Sequence, residues 1–201
     1  MSDVLVLYYS RFGATEALAR EVCEGVDGVD GATARLRTVP AVSTVAEATA
    51  SAIPDDGPPY ASNEDLRECS GLILGSPTRF GNMAASLKYF LDGTGSEWVN
   101  GALCDKPAGV FTSGSSLHGG QESTLLTMAV PLIHHGMIYV GIPYTEAALS
   151  TTTTGGTPYG ASHVSWSRES DEISAEEKAL ARALGRRVAT IAISLDSASQ
   201  R

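Results

Sequence analysis

Apolar positions follow two rhythms along this chain. Val4 to Tyr9 (VLVLYY) is an unbroken apolar run of β-forming residues, the pattern of a strand covered on both faces in a parallel sheet. Leu18, Val22 and Val26 then recur at helical spacing, predicting an amphipathic helix that ends near Gly28. Ala34 to Val39 reads as a second strand, Gly71 to Gly75 as a third, Ala108 to Thr112 as a fourth and Met137 to Ile142 as a fifth. Between them, Met83 to Asp92 predicts a helix with Leu87, Phe90 and Leu91 on one side. Gln121 to His134 predicts another, which Pro131 must kink or end. Ser174 and Glu177 form an S-x-x-E capping box opening a last helix, lined by Leu180, Leu184, Val188, Ile191 and Leu195.

Alternating strands and helices predict an α/β fold: a doubly wound, five-stranded parallel sheet with helices on both faces and right-handed crossovers. Two stretches depart from the rhythm. Residues 40–63 hold Pro54-Asp55-Asp56-Gly57-Pro58-Pro59 among many Ala, Ser and Thr residues, and read as an insertion or long surface loop. Residues 143–173 read as a second long loop. The pattern resumes after each, so 1–201 reads as a single domain.

Composition narrows the function. A length of 201 residues supports one sizeable core. With 43% hydrophobic and 18% charged residues, the chain is globular rather than disordered. A net charge of -9 argues against nucleic acid and anionic membrane surfaces as partners. It permits a nucleotide cofactor, because helix N-terminal amides hold phosphate without Lys or Arg. Cys23, Cys69 and Cys104 are odd in number and widely spaced, which suggests free thiols in a reducing cytoplasm and gives no thiolate metal site. The first ten residues lack a basic segment and an A-x-A site, and no apolar run approaches the roughly 20 residues of a membrane span. Cytoplasmic localisation is the expectation.

In doubly wound sheets ligands bind beyond the carboxyl ends of the strands, at the switch point. After the first strand come Ser10, Arg11, Phe12, Gly13, Ala14 and Thr15, hydroxyls bracketing a Gly at a helix start. This is neither G-x-G-x-x-G nor a P-loop. After the third come Ser76, Pro77, Thr78, Arg79, Phe80, Gly81 and Asn82, an aromatic and several donors between a Pro and a Gly free to take positive φ. A flat heteroaromatic ring needs that combination. After the fourth come Ser113, Gly114, Ser115, Ser116, Leu117, His118, Gly119 and Gly120, small enough to let backbone approach a planar ligand. Adjacent His134 and His135 cannot share a helix face, so they make a poor metal site. No catalytic triad or carboxylate pair is present.

The stretches VLVLYYS, SPTRFGNM, FLDGTGSEW, HHGM and GGTPYGA, in that order from Val4 to Ala161, resemble the WrbA family of flavodoxin-like NAD(P)H:quinone oxidoreductases. The resemblance implies FMN as cofactor, NADH or NADPH as electron donor, a quinone as acceptor and a homotetramer. Ser10 through Thr15 would bind the FMN phosphate. Thr78, Arg79, Phe80, Gly81 and Asn82 would meet the ring, and Ser113 through Gly119 would close its other side. His134 matches a flavin-contacting histidine and is the one possible catalytic side chain. Phe12 matches a position, usually Tyr, beside the nicotinamide. Trp98 matches an aromatic that shapes the quinone pocket. Hydride would pass to the flavin and then, from the same place, two electrons to the quinone, which implies ping-pong kinetics. Two departures stand out: Phe12 lacks a hydroxyl, and the third loop is about one residue longer than usual, with Leu117 and His118. The residues alone also allow a non-enzymatic FMN carrier of flavodoxin type, or a flavin-free scaffold for a protein partner.

Overall fold

The computed structural model describes residues 1–42, 54–166 and 172–199. Its strands are β1 (Ser2–Tyr8), β2 (Ala32–Thr38), β3 (Gly71–Pro77), β4 (Pro107–Gly114), β5 (Ile138–Tyr139) and β6 (Ala161–Val164). Every pairing among these strands is parallel, and the main path runs β2-β1-β3-β4-β5. The fifth position is filled by two segments in line: β5 pairs with Pro107 and Ala108, and β6 with Phe111 to Gly114. The expected fifth strand, Met137 to Ile142, therefore shortens to two residues. Val140 still donates its N–H to the Ala108 carbonyl at 2.7 Å, Ile142 turns to the Pro158 carbonyl, and both stay buried.

The helices are α1 (Ala14–Asp27), α2 (Asn63–Glu68), α3 (Ala85–Asp92), α4 (Gly95–Val99), α5 (Gln121–His134), α6 (Ala148–Thr151) and α7 (Ala175–Ser199). The alternation expected from sequence is present, together with four elements that were not expected: α2, α4, α6 and β6. The stretch 143–173, expected as one long loop, holds α6 and β6. Part of the insertion at 40–63 lies outside the described residues. Its end runs beside β2, where Thr38 and Tyr60 form a parallel bridge, and then Ser62 caps α2 through a reciprocal box with Asp65. Pro131 does not end α5, which runs on to His134. The Pro131 carbonyl accepts the His135 N–H at 3.0 Å and closes the helix.

Strands of such uniform apolarity bury both faces. On one, Val4, Val6 and Phe111 pack against Leu18 and Val22 of α1 and Leu184 and Val188 of α7. On the other, Leu5, Leu7, Leu72 and Leu74 pack against Leu66, Leu87, Leu125 and Met128. Each large side chain so buried stabilises by about 1.5–3 kcal/mol. The sheet is tight enough that Gly75 is obligatory: a methyl there would lie 2.0 Å from the Phe111 ring. Both layers thereby fix the carboxyl ends of β1, β3 and β4 along one rim.

Candidate flavin site

Three loops leave that rim, and hydrogen bonds join them. Thr15 Oγ1 lies 2.8 Å from Ser113 Oγ, linking the first loop to the third. The Thr78 N–H donates to the Ser113 carbonyl at 2.8 Å, linking the second to the third. Thr78 Oγ1 also lies 3.2 Å from Thr112 Oγ1. Below them, the Tyr9 N–H donates to the Gly75 carbonyl at 3.0 Å. The three sequence-predicted stretches thus form one connected surface.

In the first loop, the Ser10 hydroxyl accepts the Gly13 N–H at 3.1 Å. Gly13 takes φ 92°, a conformation that favours glycine, and turns the chain into α1. Arg11 lies over the Phe12 ring, 5.2 Å from its centroid. Ala14 and Thr15 are buried, and Phe12 is half-exposed.

In the second loop, Arg79 and Asn82 exchange backbone hydrogen bonds of 2.8 and 3.0 Å. The turn between them has positive φ at both central residues, 51° at Phe80 and 75° at Gly81, the primed type I geometry. The sequence predicts positive φ at Gly81 but not at Phe80. Phenylalanine in the left-handed region costs about 1–3 kcal/mol, and the turn holds the Phe80 ring fully in solvent. In the third loop Ser115, Ser116, Leu117, His118 and Gly119 are exposed. Gln121 spans it, accepting the Gly119 N–H at 3.0 Å and donating to the Ser116 carbonyl at 2.6 Å.

The helices after these loops share a feature. The residues at the starts of α1, α3 and α5 are Gly13, Ala84 and Gly120, and none supplies a side-chain cap. The short helices α4 and α6 also lack one, whereas α2 and α7 open on complete capping boxes, Ser62 with Asp65 and Ser174 with Glu177. First-turn amides without caps need an outside acceptor. At α1 those amides belong to small, buried residues behind a glycine, an opening that fits a phosphate. Exposed aromatic and glycine-rich loops on either side fit a planar ring.

His134 and Trp98 stand apart from this surface. Their rings stack at 5.3 Å with a 27° interplanar angle, and Trp98 Nε1 donates to the His134 carbonyl at 3.1 Å. They line a cleft of about 450 Å³ with Thr94, Val130 and His135 that reaches the second loop at Asn82. A second cleft, about 820 Å³, opens on the other side of Asn82 and Met83, between Tyr9, Arg11, Val42, Arg79 and Phe80. Thr94 donates its hydroxyl proton to the Leu91 carbonyl at 2.7 Å, so it accepts from His135 Nε2 at 3.0 Å. Burial, then the neighbouring His134, pushes His135 below the usual histidine range. Sequence reading missed Glu97, the buried carboxylate beside Trp98 on α4. Arg67 and Asn63 of α2 donate to it at 2.8 and 3.0 Å. A Glu beside a Trp carries no local sign of burial. Among the described residues no group of three His, Cys, Asp or Glu side chains could hold a metal ion.

Known proteins place this geometry. Residues 3–150 match the model of the family described as NADPH-dependent FMN reductase. A protein of Geobacter sulfurreducens named NAD(P)H dehydrogenase (quinone) is 43% identical over 201 residues, covering 96% of this chain and 99% of its own. One of the same name from Syntrophobacter fumaroxidans is 44% identical over 197 residues, covering 94% and 96%. The flavodoxin-like, WrbA-like protein of Agrobacterium tumefaciens superposes with a TM-score of 0.67 at 24% identity, over 96% of this chain and 99% of that one. The fold is that of flavodoxin-like proteins, and the chain belongs to the NADPH-dependent FMN reductase family.

Proposed function

We propose that this chain is an FMN-dependent oxidoreductase that passes two electrons from NAD(P)H to a quinone, in ping-pong order. One observation carries the reading: three loops tied by hydroxyl and amide hydrogen bonds lie at one rim, and each leads into a helix whose N-terminus its own side chains leave open. Bound FMN supplies the hydride and electron chemistry. The chain's residues do the rest. The Ser10 hydroxyl and the amides of Ala14 and Thr15 take the phosphate. Thr78, Arg79, Phe80, Gly81 and Asn82 border the ring on one side, and Ser113 through Gly119 on the other. Phe12 stacks beside the nicotinamide. Trp98 forms an apolar wall for the quinone, and His134, exposed beside it, is placed to give the quinone oxygen a proton.

The working form is a homotetramer in the cytoplasm. An exposed apolar stripe supports the assembly: Leu126, Val130 and Ile133 at helical spacing on α5, with Tyr89 of α3 and Val99 of α4 also exposed. No helix among the described residues is long and apolar enough to cross a membrane.

A visible spectrum during FMN titration tests the reading, followed by NADH or NADPH and then benzoquinone in air-free buffer. A yellow complex that bleaches with the nucleotide and recolours with the quinone is the expected result, together with parallel double-reciprocal lines. Bleaching that is absent or far slower than turnover would leave an electron carrier. No absorbance near 450 nm would remove the flavin altogether.

A further inference from the structure

We infer that His135 is the positioning residue of the quinone cleft: its neutral imidazole, donating from Nε2, holds Thr94 at the head of α4 and so keeps Trp98 against His134. The inference rests on the function proposed above and adds a residue to it.

A helix of five residues, as α4 is, does not hold its own place. Its ties come from outside. Glu97 joins it to α2 through Asn63 and Arg67. Thr94, the residue before the helix, is 1% exposed, and its hydroxyl does not cap the helix. That hydroxyl donates to the Leu91 carbonyl at 2.7 Å and presents a lone pair to His135 Nε2 at 3.0 Å. The Thr94 carbonyl accepts the Trp98 N–H at 3.0 Å. One residue thus joins the His135 ring to the Trp98 backbone. The path then closes on the neighbouring histidine, whose ring stacks on the indole and whose carbonyl accepts Trp98 Nε1–H. Adjacent side chains at the end of α5 divide the work: His134 meets the indole, and His135 holds the backbone that carries it.

The donor stands on a fixed base. The His135 and Gly136 N–H groups donate to the Pro131 and Ile133 carbonyls at 3.0 and 2.9 Å, and the Asp105 N–H donates to the Gly136 carbonyl at 3.0 Å. The bonds also set the form of the ring. The Thr94 proton is committed to Leu91, so Nε2 must carry one of its own. Nδ1 is buried and has no hydrogen-bond partner among the described residues. A second proton would put a charged N–H where nothing accepts it. Burial and the neighbouring His134 push the ring the same way, below the usual histidine range, against a smaller pull from Glu97. His135 is therefore a fixed donor and not a proton carrier, which leaves the proton step to the exposed His134. All four residues, Thr94, Trp98, His134 and His135, line the one cleft.

Nitrogen NMR of the FMN-loaded protein with labelled histidine reads the form of the ring without turnover: His135 is expected to hold its proton on Nε2 near neutral pH. Steady-state kinetics with NADPH and benzoquinone then read its effect. His135→Leu should raise the quinone KM about 5–10-fold, the loss of one buried hydrogen bond. FMN affinity and the rate of bleaching by NADPH should stay native. His135→Gln, whose amide N–H₂ can stand where Nε2 does, should bring KM back to within about 2-fold. Thr94→Val should match His135→Leu, and combining the two should add little. An unchanged KM in His135→Leu overturns the inference, as do equal losses in the Leu and Gln variants or a native ring protonated on Nδ1. A fall in FMN affinity alongside the rise in KM also overturns it, since the role would then be one of general structure. If the native protein is still bleached by NADPH and recoloured by quinone in those cases, only the positioning role fails. If quinone does not recolour the native protein at all, the proposed function fails and the inference falls with it.

Discussion

At the residue scale, the second loop sets stability against function. Phe80 occupies a turn position that glycine or asparagine would take without strain. Phe80→Gly is therefore expected to hold or raise the melting temperature, since relief of about 1–3 kcal/mol offsets the added freedom of the unfolded chain. The same change should weaken FMN binding by about 10-fold, because the exposed ring beside the proposed flavin is lost. Differential scanning calorimetry and a binding titration on one sample decide it; a marked fall in melting temperature would show that the turn does not strain the native chain. Trp98 separates two contacts. Trp98→Phe keeps an aromatic against His134 but removes the N–H donated to its carbonyl, a bond of about 1 kcal/mol. Trp98→Ala removes both. The quinone KM is expected to change little in the first variant and to rise about 10-fold in the second, with FMN affinity unchanged in each. An unchanged KM in Trp98→Ala would take the quinone away from that cleft.

At the scale of elements, the least legible part of the chain is also the most acid-sensitive. β6 reads Ala-Ser-His-Val, too short and too polar to announce a buried strand, yet His163 is 1% exposed. Its partner is remote: Glu177 of α7 accepts His163 Nδ1 at 2.9 Å, and also the N–H groups of Gly155, Val164 and Ser174. The capping motif at Ser174 was legible; that its Glu also anchors a strand and a loop was not, because those donors lie far back along the chain. The same reason hid α2 and α4, which are short and joined through Glu97 rather than by periodicity. β1, β3, β4, α1 and α5 were legible because each carries its own apolar pattern. Burial would push the Glu177 carboxyl up, but the hydrogen bonds from His163, Ser174 and Val164 outweigh it and bring it from 4.5 to about 2. With the folded value below the unfolded one, this carboxylate stabilises the protein fully above pH 4.5. The contribution, about 3 kcal/mol, falls as pH drops from there and is gone below pH 2. Glu177→Gln sets an amide N–H₂ against these donors and should lower the melting temperature at pH 7 by about 5–12 °C. Its deficit relative to the native chain should narrow towards pH 3. A deficit constant from pH 7 to pH 3 would mean that Glu177 is not held ionised.

At the scale of the whole molecule, the exposed stripe on α5 and the cleft beside it bear on one another. Val130 lines the Trp98 cleft and is itself 64% exposed, and Ile133 one turn on is 56% exposed. Apolar side chains in a continuous row, next to a stacked Trp–His pair, gain most by meeting a second chain. A partner seated there would also roof the cleft, excluding water from the quinone and completing a wall that one chain leaves open. Assembly and quinone turnover should therefore fail together, while the rim proposed for FMN lies outside the stripe, and FMN binding should not fail with them. Native protein is expected to sediment as four chains of 20.9 kDa, about 84 kDa in all. Ile133→Glu places a charge in the stripe, and a buried unpaired charge is strongly disfavoured. That variant should sediment as a smaller species, bind FMN with native affinity, still be bleached by NADPH, and reoxidise with quinone at least about 10-fold more slowly. Analytical ultracentrifugation with stopped-flow reoxidation reads both halves. If the native chain sediments near 21 kDa, or if the dissociated variant passes electrons to quinone at the native rate, the stripe has no part in the reaction and a single chain holds the whole site.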